Sequence, residues 1–155
     1  MNHDNYYKEI LGFYDMDYMK DFMEAKYHLA VSERMLRGYE EYPEKRFLIG
    51  VINEGAKAAS RLVRAFLIMD GTRGGLKEFL REVAPKYLAN RTIENLVRML
   101  EIERAQKDSP VEFARGEKII LLIQGKYRVL TISRLAEFVK SLGEAASVFS
   151  TSIKR

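Results

Sequence analysis

The chain of 155 residues has no cysteine, no tryptophan, three prolines and two histidines, His3 and His28. Without cysteine there is no disulfide framework, no thiolate metal site and no cysteine nucleophile. Two histidines are too few for a histidine-rich metal centre. There is no HExxH, no acidic glycine-containing calcium loop and no EExxH pair of the kind a di-iron bundle takes from two helices. A metal site and a cofactor are therefore not expected. No apolar run approaches the roughly 20 residues of a membrane span, so no membrane partner is expected. The opening MNHDNYYKEI lacks the basic-then-apolar order of a secretory signal, which makes a cytoplasmic location the default.

What is present fits a soluble globular protein. Hydrophobic residues make up 47% and charged residues 31%, with a net charge of +4. Domains usually run to roughly 100–200 residues, so residues 1–155 are read as one helical domain. A chain of this size buries a core without staples. The charge permits contact with RNA without requiring it. Glutamate far outnumbers aspartate, which together with the missing cysteine and tryptophan leans toward a thermophile.

Residues 1–14 are aromatic-rich and read as an irregular lead-in. Helical spacing then begins with Tyr18, Phe22, Ala25, Leu29, Ser32, Leu36 and Tyr39. Asp15 or Asp17 can cap its start, and Gly38 with Pro43 marks its end. A second helix runs from Pro43 or Glu44 to Met69 and is closed by Asp70-Gly71. Its Gly55, Ala56, Ala58 and Ala59 admit a close neighbour. GTRGG (71–75) is a loop, since no strand precedes it and no Gly-Lys-Ser/Thr follows. A short helix with Leu76, Phe79, Leu80 and Val83 on one side leads to Pro85. A third long helix starts near Asn90 or Thr92, with Ile93, Leu96, Val97 and Leu100 as its stripe. Ser109–Glu112 (SPVE) has the form of a capping box with proline at the first helical position. KIILLIQGKYRVLTI reads as a β-hairpin over 118–131, the alternative being a helix broken at Gly125. Leu135, Phe138, Val139, Leu142, Ala146 and Phe149 predict a last helix, with residues 150–155 as a frayed tail. The fold class is mainly α: an antiparallel four- to five-helix bundle with a small hairpin.

Within NEGAKAASRLVRAFLIMDG, Glu54, Lys57, Arg61 and Arg64 fall in a sector of roughly 80°, bordered by Asn53. Lys57, Arg61 and Arg64 are like charges on successive turns, so they call for a counter-charge. A neighbouring helix, another chain or a phosphate would supply it. If the stripe is a surface site, replacing Arg61 and Arg64 by alanine weakens binding and leaves melting nearly unchanged. A second basic set, Arg115, Lys118, Lys126 and Arg128 around Tyr127, suits single-stranded nucleic acid or a protected edge strand. His28, in AKYHLAV, reads as a structural histidine. Met16, Met19, Met23, Met35, Met69 and Met99 read as core filling.

The long helix MKDFMEAKYHLAVSERMLRGYEEY, the small-residue helix INEGAKAASRLVRAFLIMDG, the following LKEFLREVAPKYL and the last SRLAEFVKSLGEAASVF resemble, in that order, the HEPN superfamily. The resemblance implies an up-and-down bundle, a homodimer, and RNA or a minimal nucleotidyltransferase as partner. The family's ribonucleases, many of them toxins of toxin–antitoxin pairs, carry an arginine followed four to six residues later by a histidine. Here no histidine follows residue 28 and no arginine precedes residue 34. Arg104 is the nearest counterpart, with Asp108, Ser109 and Pro110 in the histidine slots. No catalytic residue is assigned.

Three readings follow. The first is a non-catalytic, dimeric HEPN-like interaction module, with Asn53, Glu54, Lys57, Arg61, Arg64, Arg104 and Asp108 as binding or interface candidates. The second is a metal-independent ribonuclease that uses Arg104 with Glu103 or Asp108. The third is a small-molecule-binding bundle with Tyr27, Phe66 and Tyr87 around an apolar pocket.

Overall fold

A computed structural model describes residues 16–108, 113–115, 118–123 and 125–153. The lead-in (1–14), Asp15 and the SPVE segment lie outside the described residues. The chain order is α1 (Met16–Glu41), α2 (Lys45–Asp70), a compound helix α3, α4 (Asn90–Asp108), β1 (Phe113–Arg115), β2 (Lys118–Ile123), β3 (Lys126–Thr131) and α5 (Ile132–Ile153). The protein is mainly α, with five helices and an antiparallel β2–β3 hairpin leading into α5.

α1 and α2 form an antiparallel pair. Contacts run in opposite order along the two: Gly38 with Phe47, Met35 with Gly50, Ser32 with Val51, and Asp21 with Arg61. The expected stop at Gly38 is corrected, because α1 continues to Glu41 before turning at Pro43. Gly38 serves close approach instead: a Cβ there would stand 2.9 Å from the Phe47 ring. Asp17 lies within the first described turn of α1, so it does not cap it.

α2 is the central helix. Leu48, Ile52, Leu62 and Phe66 are fully buried, and the helix packs on α1, α4, α5 and α3. The small residues work as their type suggests. A Cβ on Gly55 would meet the Met99 methyl of α4 at 2.8 Å and Ser32 Oγ of α1 at 3.4 Å. Gly71 closes α2 in the left-handed region (φ 77°), its N–H donating to Ile68 O while Thr72 N–H donates to Leu67 O. That double bond satisfies two carbonyls at the helix end.

α3 comprises Leu76–Glu78, a π turn over Phe79–Val83 and Ala84–Tyr87. Ala84 N–H donates to Phe79 O just before Pro85, which has no N–H to give. Phe79 and Val83 are buried, whereas Leu76, expected on the same side, is exposed.

The stripe expected on α4 is also shifted. Its buried positions are Thr92, Asn95, Leu96, Met99, Ile102 and Ala105, and Ile93, Val97 and Leu100 are only partly covered. The two polar members face α5. Asn95 Nδ2 donates to Ser141 Oγ at 2.8 Å and Thr92 Oγ1 donates to Glu144 at 3.2 Å. All six apolar positions expected of α5 are buried, and the helix continues through Ile153 rather than fraying from residue 150.

The hairpin falls where the sequence puts it, with Ile123 opposite Lys126 and Gly125 at φ 76° in the turn. A left-handed glycine in a two-residue connection matches the twist of the strands. The continuous-helix alternative is excluded. β1 adds a third antiparallel strand, pairing Phe113 with Ile120, so the chain is extended there rather than helical. Ile119 and Leu121 are buried, and β2 and β3 lie on α4 and α5. Among the described residues no helix is long and apolar enough to cross a membrane.

Candidate functional site

The α2 stripe meets its counter-charge inside the fold. Asp21 of α1 has a side chain only 5% exposed, and both of its oxygens are engaged. Oδ1 accepts from Arg61 Nη1 at 3.0 Å and Oδ2 lies 3.0 Å from Arg64 Nε. Glu24, one turn on, pairs with Arg61 Nε at 2.9 Å. A buried carboxylate held by two guanidiniums is a strong, charge-assisted arrangement. Arg61 and Arg64 thus bridge α1 and α2, so their joint removal is now expected to lower stability as well as to change the surface.

Glu54 faces α1 as well. It accepts from His28 Nδ1, and Lys57 Nζ lies 3.4 Å from its second oxygen. Because a carboxylate only accepts, Nδ1 of His28 is the donor in this contact. His28 is therefore a structural link between α1 and α2, with one side of its ring left partly open.

Above the stripe lies an open groove of about 610 Å³, with α2 as its floor and α1 and α4 as its walls. His28, Lys57, Ser60, Arg61, Arg64 and Lys107 contribute to it. An adjoining hollow of about 400 Å³ shares Lys57, Glu103 and Lys107 and adds Asn53 and Gln106. Glu103 and Lys107 pair across one helical turn at 2.6 Å. The Oδ1 of Asn53 is buried and accepts no hydrogen bond from the described residues.

Of the seven candidate residues, Lys57, Arg61 and Arg64 line the groove, Asn53 lines the adjoining hollow, and Glu54 lines neither but pairs with His28 and Lys57 beside them. Arg104 is exposed, does not line it, and makes no ion pair or hydrogen bond among the described residues. The side chain of Asp108 lies outside the described residues. The sequence reading missed Asp21, Ser60, Gln106 and Lys107. Asp21 had a signal, because it sits within the apolar spacing of α1 beside Phe22 and Ala25. Lys107 had only its four-residue spacing from Glu103.

The aromatic pocket expected of a small-molecule bundle is absent among the described residues. Phe66 is fully buried against Phe79, Tyr87 and Phe149, and Tyr27 is 64% exposed on α1. Met19 and Met23 join Tyr27 on that exposed side rather than filling the core.

The second basic set has the opposite character to the first. Lys118, Lys126 and Arg128 are exposed and form no ion pair among the described residues. Tyr127 is 67% and Val129 61% exposed. Since Ile119 and Leu121 turn inward, Lys118, Ile120, Tyr127 and Val129 share the outer face by strand alternation. No acidic residue occurs from Lys118 to Thr131. Arg115 lies in β1, and its side chain is outside the described residues.

Comparison of the chain with protein-family models, curated proteins and solved structures finds no match.

Proposed function

We propose that this protein is a non-catalytic, HEPN-like interaction module that holds single-stranded RNA along the β3 edge of its β2–β3 hairpin. The observation that carries the reading is the exposed Tyr127, with Lys118 on the same face and Lys126 and Arg128 on either side of it along the edge strand β3; none of the three cations has an ion-pair partner among the described residues, and the strands carry no carboxylate. Phosphates answer the cations and an unstacked base answers the phenol ring; base–aromatic stacking contributes about 1–3 kcal/mol. The α2 stripe is the weaker RNA site, because Asp21, Glu24 and Glu54 already neutralise it and would repel an extended polyanion. The order of α1, α2, α3 and α5 is the order on which the HEPN resemblance rests. A homodimer and a nucleotidyltransferase partner belong to the same proposal through that resemblance alone.

The test is fluorescence anisotropy with single-stranded RNA at low and moderate salt, the RNA being checked for length afterwards. Wild type is expected to bind with a log–log salt slope of about −2, the value for three phosphate contacts. Tyr127→Ala is expected to weaken binding by about tenfold, and Lys118→Ser/Lys126→Ser/Arg128→Ser to abolish the salt dependence. No binding at low salt, or equal binding by both variants, rejects the reading. Shortened RNA would return the ribonuclease reading to first place.

A further inference from the structure

The groove between α1, α2 and α4 has a different chemistry from the hairpin. Its charges are layered. Asp21, Glu24 and Glu54 do not line it, while Lys57, Arg61, Arg64 and Lys107 do, together with one carboxylate, Glu103, which is paired with Lys107. Arg64 commits only Nε to Asp21, and Arg61 commits Nε and Nη1. Both terminal nitrogens of Arg64 and Nη2 of Arg61 keep free N–H groups on guanidiniums that a buried carboxylate holds in place. Such pre-positioned donors bind an anion at small entropic cost. Counted with their partners, Lys57, Arg61, Arg64 and Lys107 balance Asp21, Glu24, Glu54 and Glu103. The groove therefore has short-range donors but little long-range field, which favours a compact anion over a polyanion.

The groove is open and extends well beyond the space one phosphate would fill. A groove of about 610 Å³ with a side hollow of about 400 Å³ is the size of a small organic ligand and far larger than a bare phosphate. The hollow is lined by Asn53 and by two acceptor-bearing side chains, the Glu103 carboxylate and Gln106. Acceptors of that kind pair with hydroxyl groups.

We propose that this groove binds a hydroxylated phosphomonoester, a sugar phosphate. The phosphate lies against Lys57, Arg61 and Arg64, and the hydroxyls lie toward Asn53, Glu103 and Gln106. The site is separate from the hairpin and does not rest on the RNA reading.

The experiment is isothermal titration of the full chain with ribose 5-phosphate, and separately with inorganic phosphate and with ribose. Saturable binding of ribose 5-phosphate is expected, at least about tenfold tighter than either half, since each half leaves part of the site's donors or acceptors unpaired. Lys57→Gln/Lys107→Gln alters only exposed side chains and is expected to weaken binding by about tenfold. Asn53→Leu is expected to reduce the advantage over inorganic phosphate. The hairpin triple variant is expected to bind ribose 5-phosphate like wild type. No saturation up to about 10 mM, equal affinity for inorganic phosphate alone, or unchanged affinity in Lys57→Gln/Lys107→Gln overturns the proposal. Loss of binding in the hairpin variant overturns it too, by moving the site.

Discussion

At the scale of single residues, Asp21 explains the most conspicuous charge pattern in the chain. Three cations on successive turns of α2 look like a surface waiting for a ligand, and two of them are bound to a carboxylate that is 5% exposed. Removing both arginines strands that charge in the interior. Arg61→Ala/Arg64→Ala is therefore expected to lower stability by about 2–3 kcal/mol, read as a shift in denaturant midpoint at constant m-value. Adding Asp21→Ala to that variant is expected to recover part of the loss, because no orphan charge remains. Unchanged stability in the double arginine variant would show that Asp21 does not depend on them.

At the scale of elements, the fold is joined by polar seams as well as apolar faces. The α4–α5 interface carries Asn95–Ser141 and Thr92–Glu144 where the apolar spacing of α4 points to a different side. Asn95 is 1% exposed and its Oδ1 has no donor among the described residues. Asn95→Ala alone leaves Ser141 unpaired as well, and is expected to cost about 1–2 kcal/mol. Asn95→Leu with Ser141→Ala removes both polar partners and is expected to be close to neutral in thermal melts. A large loss in the second variant would mean that the seam fixes helix register rather than only satisfying itself. The π turn before Pro85 belongs to the same scale, since it ends where the next residue has no N–H to donate.

For the whole molecule, the two basic regions differ in whether their cations are paired among the described residues, and one carboxylate bears on acid stability. Asp70, at the end of α2, ties the α2–α3 connection together. Burial alone raises its pKa, but hydrogen bonds from Thr72, Tyr87 and Lys86 outweigh that and hold it below the usual carboxylate range. A carboxylate depressed on folding adds stability above its unfolded pKa and loses it as pH falls through the folded value. The gap in stability between wild type and Asp70→Asn is therefore expected at pH 7 and should close below about pH 4 in denaturant titrations. A constant gap at all pH values would mean that the ionised form is not what stabilises. RNA and sugar phosphate binding should differ in salt response in the same way: steep at the unpaired hairpin cations, shallow at the neutral groove.

The long helices, the Gly71 stop and the Gln124-Gly125 hairpin were legible in the sequence because each is set by local rules: apolar period, a left-handed glycine, β-branched runs around a turn. The five candidate residues of α2 were legible as one face for the same reason, helical geometry alone. Other features were decided only by the tertiary structure. Which side of α4 is buried depends on the position of α5. Leu76, the first residue of α3, lies outside the core although its spacing matches Phe79 and Val83. Arg61 and Arg64 become part of the fold because Asp21, forty and more residues earlier in the chain, is brought against them. Local pattern specifies which face a helix offers. What that face meets, a buried carboxylate or open water, depends on contacts between residues far apart in sequence, and that difference separates a structural charge from a binding one.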